Sequence, residues 1–126
     1  MFFAGIDTHK ETVVVHIIDG RARTVKEERF WTTDAGLEKL AETVGKANCV
    51  LEACSTCYPV YDLLVARKIN VKVAHPLLLK SLSGLKKTDK VDAKRMAQML
   101  KAGVIPEAHI PTQKVRMERD LVKQHI

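Results

Sequence analysis

The chain has 126 residues, 46% of them apolar, and a formal net charge of +6. That length accommodates one domain around one substantial core and is too short for two, and the composition suits a soluble globular protein. No stretch approaches the roughly 18 apolar residues of a membrane span, so no membrane partner is expected.

Residues 2–7 read as a strand that closes on Asp7. Residues 12–18 form a β-branched run ending at Asp19-Gly20, a hairpin turn signal, and residues 23–31 pair back as a third strand. Apolar residues on both faces of the second run predict a central, doubly covered strand. Phe30 and Trp31 read as core residues at its partner's end. Thr32-Thr33-Asp34 caps a helix whose apolar positions are Leu37, Leu40, Ala41 and Val44, and Gly45 supplies the stop. Cys49–Glu52 is a short buried strand, Pro59 suits the first turn of a helix ending near Lys68, and residues 69–74 are the next strand. Residues 77–85 are open between short helix and loop. Thr88 is expected to cap a helix to about Lys101, ended by Gly103 and Pro106, and a charged helix runs from Gln113 to the end. The predicted fold class is α/β, with one mixed five-stranded sheet, a three-strand meander followed by parallel strands, and helices on both faces.

Four carboxylates stand out in this order. Asp7 and Glu52 end apolar strands, where an acid is costly unless something positive neutralises it. With the first strand central and next to the one ending in Glu52, the two acids emerge together at one edge of the sheet. Projected on a helix starting at residue 88, Asp89 and Asp92 share an arc roughly 100° wide with Met96, Met99 and Leu100, so they are expected to face the core. Carboxylates converging from different elements suit a two-metal centre for Mg²⁺ or Mn²⁺ acting on a phosphodiester. Each acid also has a plain structural use, as a turn cap, a lysine partner or a helix cap.

Charge placement agrees with a polyanionic substrate. Residues 1–60 carry 7 Lys/Arg against 9 Asp/Glu, whereas residues 61–126 carry 14 against 6. Lys86, Lys87, Lys90 and Lys94 are plausible phosphate contacts, and His9 and Lys10, just past Asp7, either touch phosphate or simply begin a hairpin. His75 before Pro76 reads as a turn histidine. The three cysteines, Cys49, Cys54 and Cys57, are odd in number and clustered, which implies no disulfide framework and points to a reducing cytoplasm. Cys54-x-x-Cys57 has zinc or redox spacing but no second ligand pair. Met1-Phe2-Phe3 lacks a basic leader, so no secretory signal is expected.

Gly5-Ile6-Asp7 with His9-Lys10, Val50-Leu51-Glu52-Ala53, and above all Lys87-Thr88-Asp89-Lys90-Val91-Asp92-Ala93 together resemble the N-terminal domain of the Asp-Glu-Asp-Asp transposases of the insertion-sequence one-ten group. The resemblance covers nearly the whole chain. It implies a ribonuclease H-like fold akin to Holliday-junction resolvases, with Asp7, Glu52, Asp89 and Asp92 as the metal-binding catalytic tetrad. It further implies DNA cleavage and rejoining in transposition, a structured RNA bridging donor and target DNA, and a homo-oligomer of the full-length protein. A second, serine-bearing C-terminal domain is also implied. On that reading residues 1–112 are the catalytic domain, residues 113–126 begin a linker helix to the missing domain, and the fragment is inactive alone. Where the family often has a glycine-containing turn after the glutamate, this chain has Ala53-Cys54-Ser55-Thr56-Cys57-Tyr58, a departure that concerns the local loop.

Two alternatives compete. A non-catalytic nucleic-acid-binding module would use the basic helix and keep the acids as structural groups. An actin-like nucleotide-binding domain also opens on Gly-Ile-Asp, but needs glycine-rich phosphate loops that are lacking here.

Overall fold

The computed structural model describes residues 1–86, 90–111 and 113–124. Its sheet is built from β1 (Phe3–Thr8), β2 (Thr12–Ile18), β3 (Thr24–Trp31), β4 (Asn48–Glu52) and β5 (Val71–Ala74), in the order β3-β2-β1-β4-β5. The meander β1-β2-β3 is antiparallel, and β4 and β5 add in parallel to β1, as the order of strand and helix signals predicts.

The β2–β3 hairpin turns where the Asp19 carboxylate accepts the backbone N–H groups of Arg21 and Arg23, at 2.9 and 3.0 Å. Those donors, Arg23 first, hold its pKa below the usual carboxylate value. Helix α1 (Asp34–Val44) is capped by Thr33, whose hydroxyl accepts from Gly36 N, and ends at Gly45 with φ 60°. Helix α2 (Tyr58–Ala66) carries Pro59 in its first turn. Helix α3 (Pro76–Leu82) resolves the open reading of residues 77–85: Pro76 starts it, and His75 Nδ1 accepts from Leu78 N at 3.4 Å. Helices α4 (Ala93–Ala102) and α5 (Gln113–Gln124) follow.

Strand alternation divides the interior into two layers. Ala4, Ile6, Cys49 and Leu51 pack with Leu40, Val44, Val60 and Leu64 under α1 and α2. On the other face, Val50 and Phe3 pack with Leu79, Val91, Met96, Met99 and Leu100, from α3, α4 and the segment before α4. Helix α4 crosses β1 at backbone contact. A Cβ at Gly5 would stand 1.8 Å from the Ala93 carbonyl oxygen, so only glycine admits the helix there.

Both sheet edges are modified. On β3 the run Lys26-Glu27-Glu28-Arg29 carries charge along the outer strand. Beyond β5, Ala74 bridges Glu107, Ala108 N donates to Val73 O and His75 N donates to Pro106 O.

Two expectations are corrected. Helix α4 begins at Ala93, not after Thr88, because Asp92 takes the N-cap and accepts from Arg95 N at 2.8 Å, while Val91 is buried in the segment before it. Trp31 is not core: Phe30 points inward, so strand alternation puts Trp31 on the surface at 65% exposure. Among the described residues, no helix is long and apolar enough to cross a membrane.

Candidate metal centre

Asp7 and Glu52 are brought together by strand register. Ile6 pairs with Leu51 on the parallel neighbours β1 and β4, and the next residue on each strand is the acid. Ile6 and Leu51 fill the α1/α2 layer, so alternation turns Asp7 and Glu52 to the face covered by α3 and α4. Both line a cleft of about 390 Å³ at the ends of these strands, shared with Thr8, Cys54, Thr56, Lys80 and Lys90.

The Asp7 side chain is only 17% exposed, and both its oxygens are engaged. Lys90 Nζ lies 2.8 Å from Oδ1, and His9 Nε2 donates to Oδ2 at 3.0 Å. Lys90 Nζ also stands 3.5 Å from His9 Nδ1. His9 is held there because its backbone N–H donates to Thr12 O across the tight β1–β2 turn.

The loop after Glu52 closes the other wall. Ala53 N donates to Ala74 O, and Cys57 N to Cys54 O. Thr56 Oγ1 meets Thr8 Oγ1 and Cys54 Sγ, each at 3.0 Å, and ties this loop to the end of β1. Cys54 is exposed at the cleft while Cys57 is buried, and burial is the main cause raising the Cys57 thiol above its usual pKa.

The remaining predicted site residues fall unevenly. Asp92 is exposed, and its carboxylate caps α4 instead of sharing the helix's buried stripe as expected. The helical projection fails for it because residue 92 precedes the helix. The stripe itself, Met96, Met99 and Leu100, is buried as read. Asp89 and Lys87 lie outside the described residues. Lys10, Lys86 and Lys94 are exposed. The sequence reading missed Thr8, Thr56 and Lys80 as cleft residues and His9 as the partner of Asp7. Proximity to Asp7 was the available signal, and it applied to Thr8 and His9 but not to Thr56 or Lys80.

Among the described residues, no three His, Cys, Asp or Glu side chains stand close enough to share one metal ion. The pair that does line the cleft supplies hard oxygen donors, and one of them already holds an ammonium. That chemistry fits Mg²⁺ or Mn²⁺ better than a soft metal. The N-cap of α4 remains near this face, since Ala93 sits on Gly5, two residues before Asp7 on the same side of β1.

Comparison with known proteins gives the same outline. Residues 4–125 match the family described as "Transposase", the IS110-type DEDD transposases. The transposase for insertion sequence element IS1533 of Leptospira borgpetersenii is 26% identical over 106 residues, covering 79% of this chain and 31% of the relative. The chain thus spans about a third of that relative's length. Among solved structures, RuvC of T. thermophilus in complex with a Holliday junction substrate superposes with a TM-score of 0.56 at 13% identity, covering 86% of this chain and 99% of that one. A second structure of Thermus thermophilus RuvC gives 0.54 at 13% identity, covering 86% and 100%. These likenesses show a RuvC-type, ribonuclease H-like fold.

Proposed function

The chain belongs to the IS110-type DEDD transposase family, and from that premise we propose that it is the metal-dependent strand-cleavage domain of a transposase, acting on DNA. The observation that carries this reading is the register of β1 and β4, which delivers Asp7 and Glu52 side by side into one cleft with lysines on its rim.

In this reading Asp7 and Glu52 hold the divalent cation, and the stretch holding Asp89 and Asp92 completes the set. Family membership supports these last two; the Gly5–Ala93 contact, which keeps the start of α4 near Asp7, supports Asp92 further. When bound, Mg²⁺ or Mn²⁺ stabilises charge on the attacking and leaving oxygens of a phosphodiester. The protein's own groups prepare for that. His9 fixes the Asp7 carboxylate through Oδ2, and the Thr8–Thr56 contact holds the wall of the cleft. Lys10, Lys86, Lys87, Lys90 and Lys94 neutralise phosphates and position the strand without reading sequence. A structured RNA partner, a serine-bearing second region and oligomerisation belong to the same proposal and rest on family membership alone.

Isothermal titration with Mn²⁺ tests the site. We expect saturable binding in the wild type, and its loss in Asp7→Asn and Glu52→Gln variants with unchanged far-UV circular dichroism. Binding indifferent to both substitutions would refute the assignment. One observation favours a second reading, a nucleic-acid-binding module whose acids are structural: Asp92 already serves as a helix cap. Nucleic-acid binding that ignores divalent ions and survives Asp7→Asn would establish that alternative.

A further inference from the structure

Resting on the assignment of Asp7 as a metal ligand, we propose that Lys90 is a built-in competitor for the metal. Its ammonium occupies the cation's place at Asp7 in the free protein, and metal binding releases it towards the nucleic-acid backbone.

The argument starts from the occupancy of the Asp7 carboxylate. Oδ2 is taken by His9 and Oδ1 by Lys90, at 3.0 and 2.8 Å, and the side chain is largely buried. Each oxygen keeps a second lone pair, but an ion bound there would sit directly against the Lys90 ammonium. His9 is fixed by the β1–β2 turn, two residues from Asp7 on the same hairpin. Lys90 is the partner better able to move: both side chains are about half exposed, 49% against 42% for His9, but Lys90 ends a flexible four-carbon stem and carries the charge that repels the ion.

The backbone around Lys90 does not have to follow. Val91 is 1% exposed in the α4 layer, and Ala93 rests on Gly5, so the chain is pinned on the C-terminal side of Lys90. The exchange then amounts to a rotamer change of one lysine. Its direction follows from charge. A divalent ion and an ammonium on one carboxylate repel each other, and that repulsion exceeds what a half-exposed ion pair returns. Without metal, the same ammonium offsets the mutual repulsion of Asp7 and Glu52 across the cleft. With metal, the displaced ammonium points from the rim, where a phosphate would meet it. Cation binding and capture of the nucleic-acid backbone are thereby linked through one side chain.

The test measures Mn²⁺ affinity by electron paramagnetic resonance of the free ion. Lys90→Met should bind tighter than wild type, on the order of tenfold, because a competing like charge is gone, whereas Lys90→Arg, which keeps the charge, should stay within about twofold. Asp7→Asn should abolish binding. Equal or weaker binding by Lys90→Met, with wild type still binding through Asp7, overturns the Lys90 proposal and leaves the metal site standing. Equal tightening in both Lys90 variants also overturns it, since the charge then plays no part. Absence of saturable binding in wild type, or full binding in Asp7→Asn, overturns both proposals. A second measurement needs no variant: the rate of Lys90 acylation, read by peptide mass spectrometry, should rise several-fold at saturating Mg²⁺. An unchanged rate while the metal binds through Asp7 sinks the exchange.

Discussion

A methyl group added at Gly5 would stand 1.8 Å from the Ala93 carbonyl oxygen and 2.9 Å from Ala97 N, so Gly5→Ala must lift α4 from β1. We expect a loss of about 1–3 kcal/mol in urea unfolding with an unchanged m-value, the usual cost of overpacking a close contact. Mn²⁺ affinity should fall with it, because the start of α4 moves away from Asp7. Full stability in Gly5→Ala would mean that the helix does not rest on the strand. This residue shows where sequence reading stopped. Asp7 and Glu52 were legible because an acid ending an apolar strand is anomalous by itself. The reason for glycine two residues before Asp7 was not, since its partner is backbone far along the chain. Trp31 failed for a related reason: in Phe30-Trp31 two large apolar neighbours cannot share one face of a strand, and composition does not say which one points inward.

At the scale of elements, α1, α2, α4 and α5 were readable, α3 was left open between helix and loop, and the start of α4 was misplaced. Thr88 and Asp92 are both good N-cap residues, and periodicity alone favoured the longer helix. Burial of Val91, just before an Asp92 held in extended backbone, settles the choice for Asp92, a tertiary effect invisible to a local pattern. Helix α5 was read as a charged extension. Its first turns are instead tethered to α2, with Arg116 meeting both Asp62 oxygens at 2.7 and 3.2 Å and lying 4.3 Å from the Tyr58 ring centroid. The Asp62 hydrogen bond is the main cause raising the Arg116 pKa above its ordinary value, so the guanidinium stays charged at any working pH. Arg116→Ala should cost roughly 1–2 kcal/mol and release α5, seen as faster amide exchange along residues 113–124 with α2 unchanged. Lysine should restore only part, because it lacks the planar fork. Protection of α5 that survives Arg116→Ala would show that other contacts hold the helix.

For the whole molecule, the order of hairpin and crossover signals was enough to place β1 at the centre of the sheet and Asp7 beside Glu52. The charge asymmetry was equally legible, though how each lysine faces the cleft was not. Its consequence is an electrostatic one. Affinity for duplex DNA should fall steeply with salt, and a Lys10→Ala, Lys94→Ala double variant should lower the log–log slope by roughly 1–2, about 0.9 per lost phosphate contact. Fluorescence anisotropy across a salt series reads this directly, and an unchanged slope would place these two lysines away from the DNA.

The two modified sheet edges restrict how such a domain is built into a larger machine. Along β3 the run of charged residues discourages an incoming strand, and along β5 the residue 106–108 segment already takes up backbone donors and acceptors. Extension of the sheet by another copy, or by a passing peptide, is thus disfavoured on one side and occupied on the other. Protein neighbours are left with helix faces, and the strand ends of β1 and β4 stay uncovered at the cleft. The fold is in this way guarded against aggregating through its own β-structure.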